Sequence, residues 1–212
     1  MPRIKQQTVY QFDELDDRAK EKARDWYRQG AFDHDWYDYI FDDAKACLAI
    51  AGFRVDEIYF SGFSSQGDGA CFEGSWRATE AKPAKAMKDH APEDKELHRI
   101  AAEMRRIAKA YPNASMSCKP SGRYSHEYNA DINVELNPPE DDDDIPRTPA
   151  EWDALAKSFE PFTDAIIEAS RDAMRWIYRQ LEAEWNYQNS DEQVDETIRA
   201  NEYEFDEKGN RT

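Results

Sequence analysis

The chain has 212 residues, of which 40% are hydrophobic and 13% aromatic, so it is long enough for one large domain or two small ones with a substantial core. Its formal net charge of −17 disfavours direct binding to nucleic acid and favours contact with basic protein surfaces, although such charge also serves solubility alone. No apolar run approaches the roughly 20 residues of a membrane span and no secretory signal is visible, so we expect a soluble, cytoplasmic protein without a membrane partner.

Two amphipathic helices are predicted first, at residues 13–29 and 35–51, because apolar residues recur there every three or four positions. Strand-like runs follow at 54–60 and 70–77, and the glycines between them predict a β-hairpin whose turn lies near 64–69. The first part of the chain therefore combines helices with an antiparallel pair of strands.

A third amphipathic helix is predicted at 94–111, followed by strand-like runs at 114–119 and 125–136 with a Pro-Ser-Gly turn between them. Alternation within the second of these runs places Tyr128 among the apolar residues of one strand face. Four strands in two hairpins, with helices before and after, predict an α+β fold: an antiparallel sheet of about four strands with amphipathic helices packed on it.

A long C-terminal helix is predicted from 161 to 188, preceded by a separate capped helix start at Thr148. Its apolar residues fill two adjoining stripes, which implies burial on two sides, against the sheet and against another helix or another subunit. A short helix from residue 190 and a terminal strand at 201–206 follow.

Residues 137–148 form the one segment predicted to be flexible, because three prolines and five consecutive carboxylates lie within it. This acidic linker separates an α+β core domain, 1–136, from a C-terminal helical segment, 149–212, that packs on the core. The acidity belongs to this end of the chain, where 21 acidic and 8 basic side chains follow residue 136. The linker aspartates are a candidate acidic binding surface: Asp141, Asp142, Asp143 and Asp144.

The glycine-rich segment, residues 60–74, holds four of the eight glycines of the chain. It approaches two catalytic motifs, but Gln66 stands where a nucleophile elbow needs glycine and Asp68 stands where a phosphate-binding P-loop needs lysine. A tight turn or a recognition loop is therefore favoured over a catalytic loop. The candidate binding residues of this loop are its polar side chains: Ser64, Ser65, Gln66 and Asp68.

Metal-ligating patterns are incomplete in this sequence. His126-Glu127 begins like the zinc motif HExxH, but Ala130 stands where the second histidine is required. The three cysteines are widely spaced without a CxxC pair, which argues against a structural zinc site or a disulfide framework. We therefore predict no metal site, no cofactor and no catalytic residue.

A row of arginines, Arg171, Arg175 and Arg179, falls on one face of the predicted long helix. Such a row could hold phosphates or the carboxylates of a partner. Carboxylates three residues away, among them Glu168 and Asp172, favour pairing within the helix instead.

Three stretches carry a resemblance to a known family: Phe12-Asp13-Glu14-Leu15 with the helix at 19–27, the run SGFSSQGDGACF at 61–72, and the end of the chain, 191–205. Through them the sequence resembles a family of uncharacterised bacteriophage proteins with an SGFxSQGDGAxF signature, sometimes labelled as the antitoxin of a toxin–antitoxin stability system. The resemblance implies a phage or prophage origin and action in the cytoplasm of the host cell. It implies no catalytic residues.

We accordingly expect a non-enzymatic, acidic binding protein that modulates or inhibits a host protein, such as a defence or nucleic-acid-processing factor, and that acts by nucleic-acid mimicry in one version of this hypothesis. One alternative is a small-molecule or nucleotide-binding protein, or a hydrolase, that uses the glycine-rich hairpin. Another is a homo-oligomeric structural protein that assembles through the long helix.

Overall fold

The structure is a computed structural model, and it describes residues 6–30, 35–137 and 148–212. Within these ranges the helices are α1 (Asp17–Gly30), α2 (Asp38–Ile50), α3 (Ala84–His90), α4 (Lys95–Ala110), α5 (Pro149–Gln188) and α6 (Asp191–Ala200). The strands are β1 (Tyr10–Gln11), β2 (Phe53–Phe60), β3 (Ala70–Arg77), β4 (Ala114–Pro120), β5 (Ala130–Leu136) and β6 (Glu204–Phe205). Among the described helices, none combines the length and the apolar composition that crossing a membrane requires.

Contacts divide the described residues into two compact units. The central unit is Asp38–Leu181, and the terminal unit joins the described residues up to Tyr37 with those from Glu182 onward. The division falls inside α5, between Leu181 and Glu182. The domain boundaries expected from the sequence, at 136 and 149, stay a prediction. The division by contacts instead places the two ends of the chain in one unit.

The central unit contains a four-stranded antiparallel sheet in the order β2-β3-β4-β5. Its two hairpins, β2-β3 and β4-β5, are connected through α3 and α4. The pairs Phe53–Trp76, Trp76–Met116 and Met116–Val134 give the register across all four strands. This arrangement confirms the predicted α+β class and the two hairpins.

Helices cover the sheet with the apolar faces that their periodicity predicted. In α4 the buried residues follow the three-to-four spacing of one helix face: Leu97, Ile100, Ala101, Met104 and Ile107. Among the fully buried side chains of the described residues the largest is Trp76 of β3, which donates its indole N–H to the carbonyl of Ala51 at 3.1 Å, so its one polar atom is satisfied within the core.

The long helix α5 begins earlier than predicted and runs unbroken through Pro161. Its start is a capping box, in which Thr148 Oγ1 accepts from the Glu151 N–H at 3.3 Å and Glu151 Oε2 accepts from the Thr148 N–H at 3.0 Å. Proline usually ends a helix because it lacks an N–H. Here the ring of Tyr111 contacts both Phe159 and Phe162, at 4.9 and 4.7 Å between centroids, so α5 is packed against aromatic side chains on both sides of Pro161.

The strand predicted at 125–136 begins only at Ala130. Residues Glu127–Asn129 form a short 3-10 turn instead, closed by the Asn129 N–H donating to the His126 carbonyl at 2.8 Å. The terminal strand predicted at 201–206 is likewise reduced to Glu204–Phe205. Both predictions were wrong in extent. In the first, the apolar alternation includes Tyr128, whose backbone belongs to the 3-10 turn.

The terminal unit has a small core of its own, made by both ends of the chain: Phe12, Leu15, Ala19, Ala23, Tyr27, Val194, Ile198 and Phe205. Strand β1 pairs with β6, and Arg24 on α1 binds Asp195 on α6 through two hydrogen bonds of 2.6 and 2.8 Å. Gly209 has φ +77°, and a Cβ there would lie 2.1 Å from the Ala19 carbonyl oxygen. Only glycine fits this close approach of the C-terminal end to α1.

Candidate recognition surface at one end of the sheet

The connections of the two hairpins, residues 61–69 and 121–129, lie at the same end of the central sheet. We call them the paired loops. The Ser61 hydroxyl donates to the Ser125 carbonyl at 3.5 Å, and a Cβ on Gly69 would lie 2.8 Å from the His126 ring. Because glycine leaves room for the imidazole, the two loops meet along this contact.

Asp68 shapes the glycine-rich loop from within. Its Oδ2 accepts from the backbone N–H groups of Ser64 and Ser65, at 2.8 and 2.6 Å. Gly67, with φ +95°, provides the left-handed residue that the turn requires. The carboxylate thus lies where a phosphate-binding loop would hold its anion, and these two N–H groups are already engaged.

The base of this loop is anchored on α5 while its tip is exposed. The Tyr178 hydroxyl donates to the Gly62 carbonyl at 3.0 Å. The ring of Phe63 contacts those of Phe60 and Tyr178, at 5.9 and 5.4 Å between centroids. Of the residues predicted to bind, Ser64, Ser65 and Gln66 are exposed at the tip, whereas Asp68 is partly buried and bonds its own loop.

Another glycine of the segment has a purely architectural role. A Cβ on Gly74, in β3, would lie 2.2 Å from the Arg54 carbonyl oxygen of β2. The β2-β3 register shifts immediately afterwards, between Val55 and Glu57. Glycine at this position lets the two strands approach at the irregularity.

The second loop presents two large aromatic side chains to solvent. Tyr124 is 58% exposed and Tyr128 is 65% exposed. The guanidinium of Arg171, on α5, lies 4.9 Å from the centre of the Tyr128 ring, and the His126 ring stacks on the same tyrosine at 5.6 Å. These contacts hold Tyr128 in place although most of its surface is open to solvent.

An ionic network beneath the second loop fastens it to α5. Glu127 is buried, with its carboxylate 3.0 Å from His126 Nδ1 and 3.5 Å from Arg175 Nη1. Arg175 also binds Asp172, which Arg99 of α4 contacts at 2.6 Å. Burial opposes ionisation of Asp172, but hydrogen bonds from Arg175 and Arg99 prevail and hold the pKa of Asp172 below its usual value.

The arginine row is paired within the protein. Arg171 pairs with Glu168 and Arg175 with Asp172, each three residues away, which confirms the prediction of intrahelical pairs for these two arginines. Arg179 pairs with Glu96 of α4 instead. These arginines therefore join α5 to its neighbours and to the second loop. The candidate acidic surface, Asp141 to Asp144, lies outside the described residues.

Residues 36–191 match the family model described as a domain of unknown function, DUF8835. The match covers well over half of the chain. The chain belongs to the DUF8835 family. No curated protein and no solved structure matches it. The matched range contains the entire central unit, so both paired loops and the ionic network lie within the DUF8835 domain.

Sequence reasoning identified one half of this surface of the DUF8835 domain and missed the other. The glycines marked the first loop, as they do at turns and close approaches. Tyr124 was overlooked, and Tyr128 was placed by alternation on the apolar face of a strand that begins only two residues later. The signal that could have found them is the dense run of Ser, Gly, Arg, Tyr and His at 121–126, which is typical of a loop.

Proposed function

We propose that the protein is a non-enzymatic binding module whose paired loops contact a partner protein. The observation that carries this proposal is the exposure of Tyr124 and Tyr128, at 58% and 65%, at the same end of the sheet as the exposed tip 64–67. The bacteriophage resemblance makes a host protein the proposed partner, which binding would modulate or inhibit.

The composition of the paired loops supports this proposal. Tyrosine contributes a large contact area at a low cost in conformational entropy, and serine and glycine adapt to the hydrogen bonds of a partner. Aromatic and arginine side chains are also the residues that contribute most of the binding energy in protein interfaces. Arg123, whose guanidinium lies 6.0 Å from the Tyr124 ring, adds one such side chain to the second loop.

The anchored bases of the loops support it as well. Hydrogen bonds from Tyr178 to Gly62 and from Ser61 to Ser125, together with the Glu127–Arg175 pair, position the loops before any partner arrives. A surface ordered in advance loses less entropy on binding.

The same contacts disfavour the nucleotide-binding and hydrolase alternative at this hairpin. The N–H groups of Ser64 and Ser65 donate to Asp68, and the negative charge of Asp68 would repel a phosphate. Nucleic-acid mimicry would depend on the aspartates at 141–144. Homo-oligomeric assembly through α5 would depend on an apolar face of that helix. Both hypotheses stay predictions.

Site-specific photo-cross-linking tests the proposal. A benzophenone amino acid is placed at position 66 or 124 of the full chain in bacterial cells, and at Tyr187 as a control. Tyr187 is 57% exposed but belongs to the terminal unit, so it matches Tyr124 in side chain and exposure. Positions 66 and 124 should capture the same discrete protein, and position 187 should not.

The partner identified in this way is then tested with purified protein. Replacing Tyr124 and Tyr128 with alanine should weaken its binding by at least about thirtyfold, because one interface hot spot contributes about 2 kcal/mol or more. Tyr187→Ala should leave it unchanged. Equal capture from all three positions, or none from 66 and 124, would refute the proposal.

A further inference from the structure

Three side chains of α2 and α3, outside the paired loops, bring metal-ligating atoms close together. Asp43 and Cys47 are one turn apart on α2, and His90 is the last residue of α3. Asp43 Oδ2 lies 3.8 Å from Cys47 Sγ, and Asp43 Oδ1 lies 3.6 Å from His90 Nε2. All three ligand atoms lie within 4.8 Å of one another.

These contacts are too loose to be explained as strong hydrogen bonds. An N–H···O bond has its heavy atoms roughly 2.7–3.2 Å apart, and the His90–Asp43 separation of 3.6 Å exceeds this. The Cys47 thiol donates a weak hydrogen bond to Asp43 Oδ2 at 3.8 Å. The three groups therefore lie close together without a strong hydrogen bond between them.

We propose that Asp43, Cys47 and His90 form a binding site for a zinc ion. Sulfur, imidazole nitrogen and carboxylate oxygen are the three ligand types that zinc uses in proteins. With tetrahedral geometry and bonds of roughly 2.0–2.3 Å, ligand atoms lie about 3.3–3.8 Å apart. Asp43 Oδ1 lies 3.6 Å from His90 Nε2 and Asp43 Oδ2 lies 3.8 Å from Cys47 Sγ, both within this range, and one ligand atom from each residue lies within 4.8 Å of the other two.

The surroundings of the site suit entry and retention of a cation. The side chains of Asp43 and His90 are 65% and 41% exposed, whereas Cys47 is buried, so the ion enters from solvent and reaches a sulfur ligand below. The Asp94 carboxylate adds negative charge near the thiol. Its oxygens accept from Leu97 N–H and Trp176 Nε1–H, which fixes it as a neighbouring charge rather than a ligand.

The binding step is simple. Cys47 loses its proton to solvent and binds as thiolate, neutral His90 and ionised Asp43 provide the other protein ligands, and water fills the fourth position. Because two ligands are on α2 and the third is on α3, the bound ion joins the two helices and stabilises the folded state.

Cobalt titration of the chelator-treated full chain tests the site, since Co²⁺ reports thiolate coordination by a charge-transfer absorption band. The protein should show this band at a single saturable site, and Zn²⁺ should displace it. Cys47→Ser should abolish the band, and Asp43→Asn and His90→Gln should each weaken binding by at least about tenfold.

Matched controls are Asp42→Asn, an exposed neighbour on α2, and Cys71→Ala, another buried cysteine. Both should bind like the original chain. If Cys47→Ser does not fold, Asp43→Asn and His90→Gln, at exposed positions, still decide the matter: Zn²⁺ should raise the Tm of the original chain and not theirs. No charge-transfer band, or a band lost in Cys71→Ala but kept in Cys47→Ser, would overturn the site.

Discussion

At the scale of single residues, the three cysteines illustrate how burial determines chemistry. Cys47, Cys71 and Cys118 are all buried. Burial is the main cause that raises the pKa of each thiol from the ordinary 9.0, to about 12 for Cys47, about 11 for Cys71 and about 12 for Cys118. Without a metal, none is a thiolate nucleophile at neutral pH.

These raised pKa values predict that stability declines in alkaline solution. The unfolded chain releases the thiol protons near pH 9, whereas the folded chain keeps them until about pH 11 to 12. The folded state therefore binds more protons within this window, so the free energy of unfolding falls as pH rises through it, by at most about 1.4 kcal/mol per thiol for each pH unit. Urea unfolding at several pH values, with chelator present, measures the slope.

Cys118→Ala provides the comparison for this pH dependence. Its cavity lowers stability by the same amount at every pH, but its slope above pH 9 should be shallower by the contribution of one thiol. Identical slopes in both proteins would show that Cys118 is not held protonated by the fold.

At the scale of elements, α5 fastens the second paired loop through Arg175. Glu127 is buried in the short turn before β5 and has Arg175 as its cationic partner on α5. Arg179, one turn further along α5, forms a more exposed pair with Glu96. Buried and exposed ion pairs differ in the cost of losing one member, because only the buried carboxylate is left without solvent.

Arg175→Met should therefore destabilise the protein more than Arg179→Met. We expect a loss of roughly 1–3 kcal/mol for the first, because the buried Glu127 carboxylate loses its arginine partner and keeps only the contact with His126, and less than about 1 kcal/mol for the second. Urea unfolding at neutral pH measures both. Adding Glu127→Gln to Arg175→Met should recover part of the loss, and equal losses in the two single variants would contradict this role of Arg175.

At the scale of the whole molecule, the range that matches the family corresponds closely to the central unit. The DUF8835 match, 36–191, contains the whole central unit, whereas most of the terminal unit lies outside it. The terminal unit depends on a few apolar side chains from both chain ends, of which Phe205 is fully buried. A small core of this kind has little stability in reserve.

Phe205→Ala should open the terminal unit selectively. Truncating a buried phenylalanine costs about 3–5 kcal/mol, which is comparable to what a small core provides. Hydrogen exchange followed by mass spectrometry should show lost protection in α1 and α6, while β3 and β4 stay protected. Glu207→Ala, an exposed neighbour, should change nothing. A uniform loss of protection across both units would contradict the division.

Much of the fold was predictable from the sequence because it depends on neighbours along the chain. The apolar periodicity of α4, the strand-like run at 70–77 and the capped helix start at Thr148 are properties of a few adjacent residues, and each prediction was confirmed. The glycines at 67 and 69 likewise marked the first loop. The identities of Gln66 and Asp68 alone sufficed to disfavour two catalytic motifs, because each motif requires a different residue at that position.

Contacts between distant residues decided the remainder. Tyr111 packs against α5 on both sides of Pro161, and His126 meets Gly69 because the two hairpins share one end of the sheet. Cys47 has the helical spacing of a core residue, and its convergence with His90 depends on how α2 and α3 pack. Sequence alone therefore determined the fold class and the approximate positions of the main helices and strands, since these depend on local backbone preferences. Tertiary structure decided which polar groups meet, because packing brings together residues whose separation along the chain leaves no pattern.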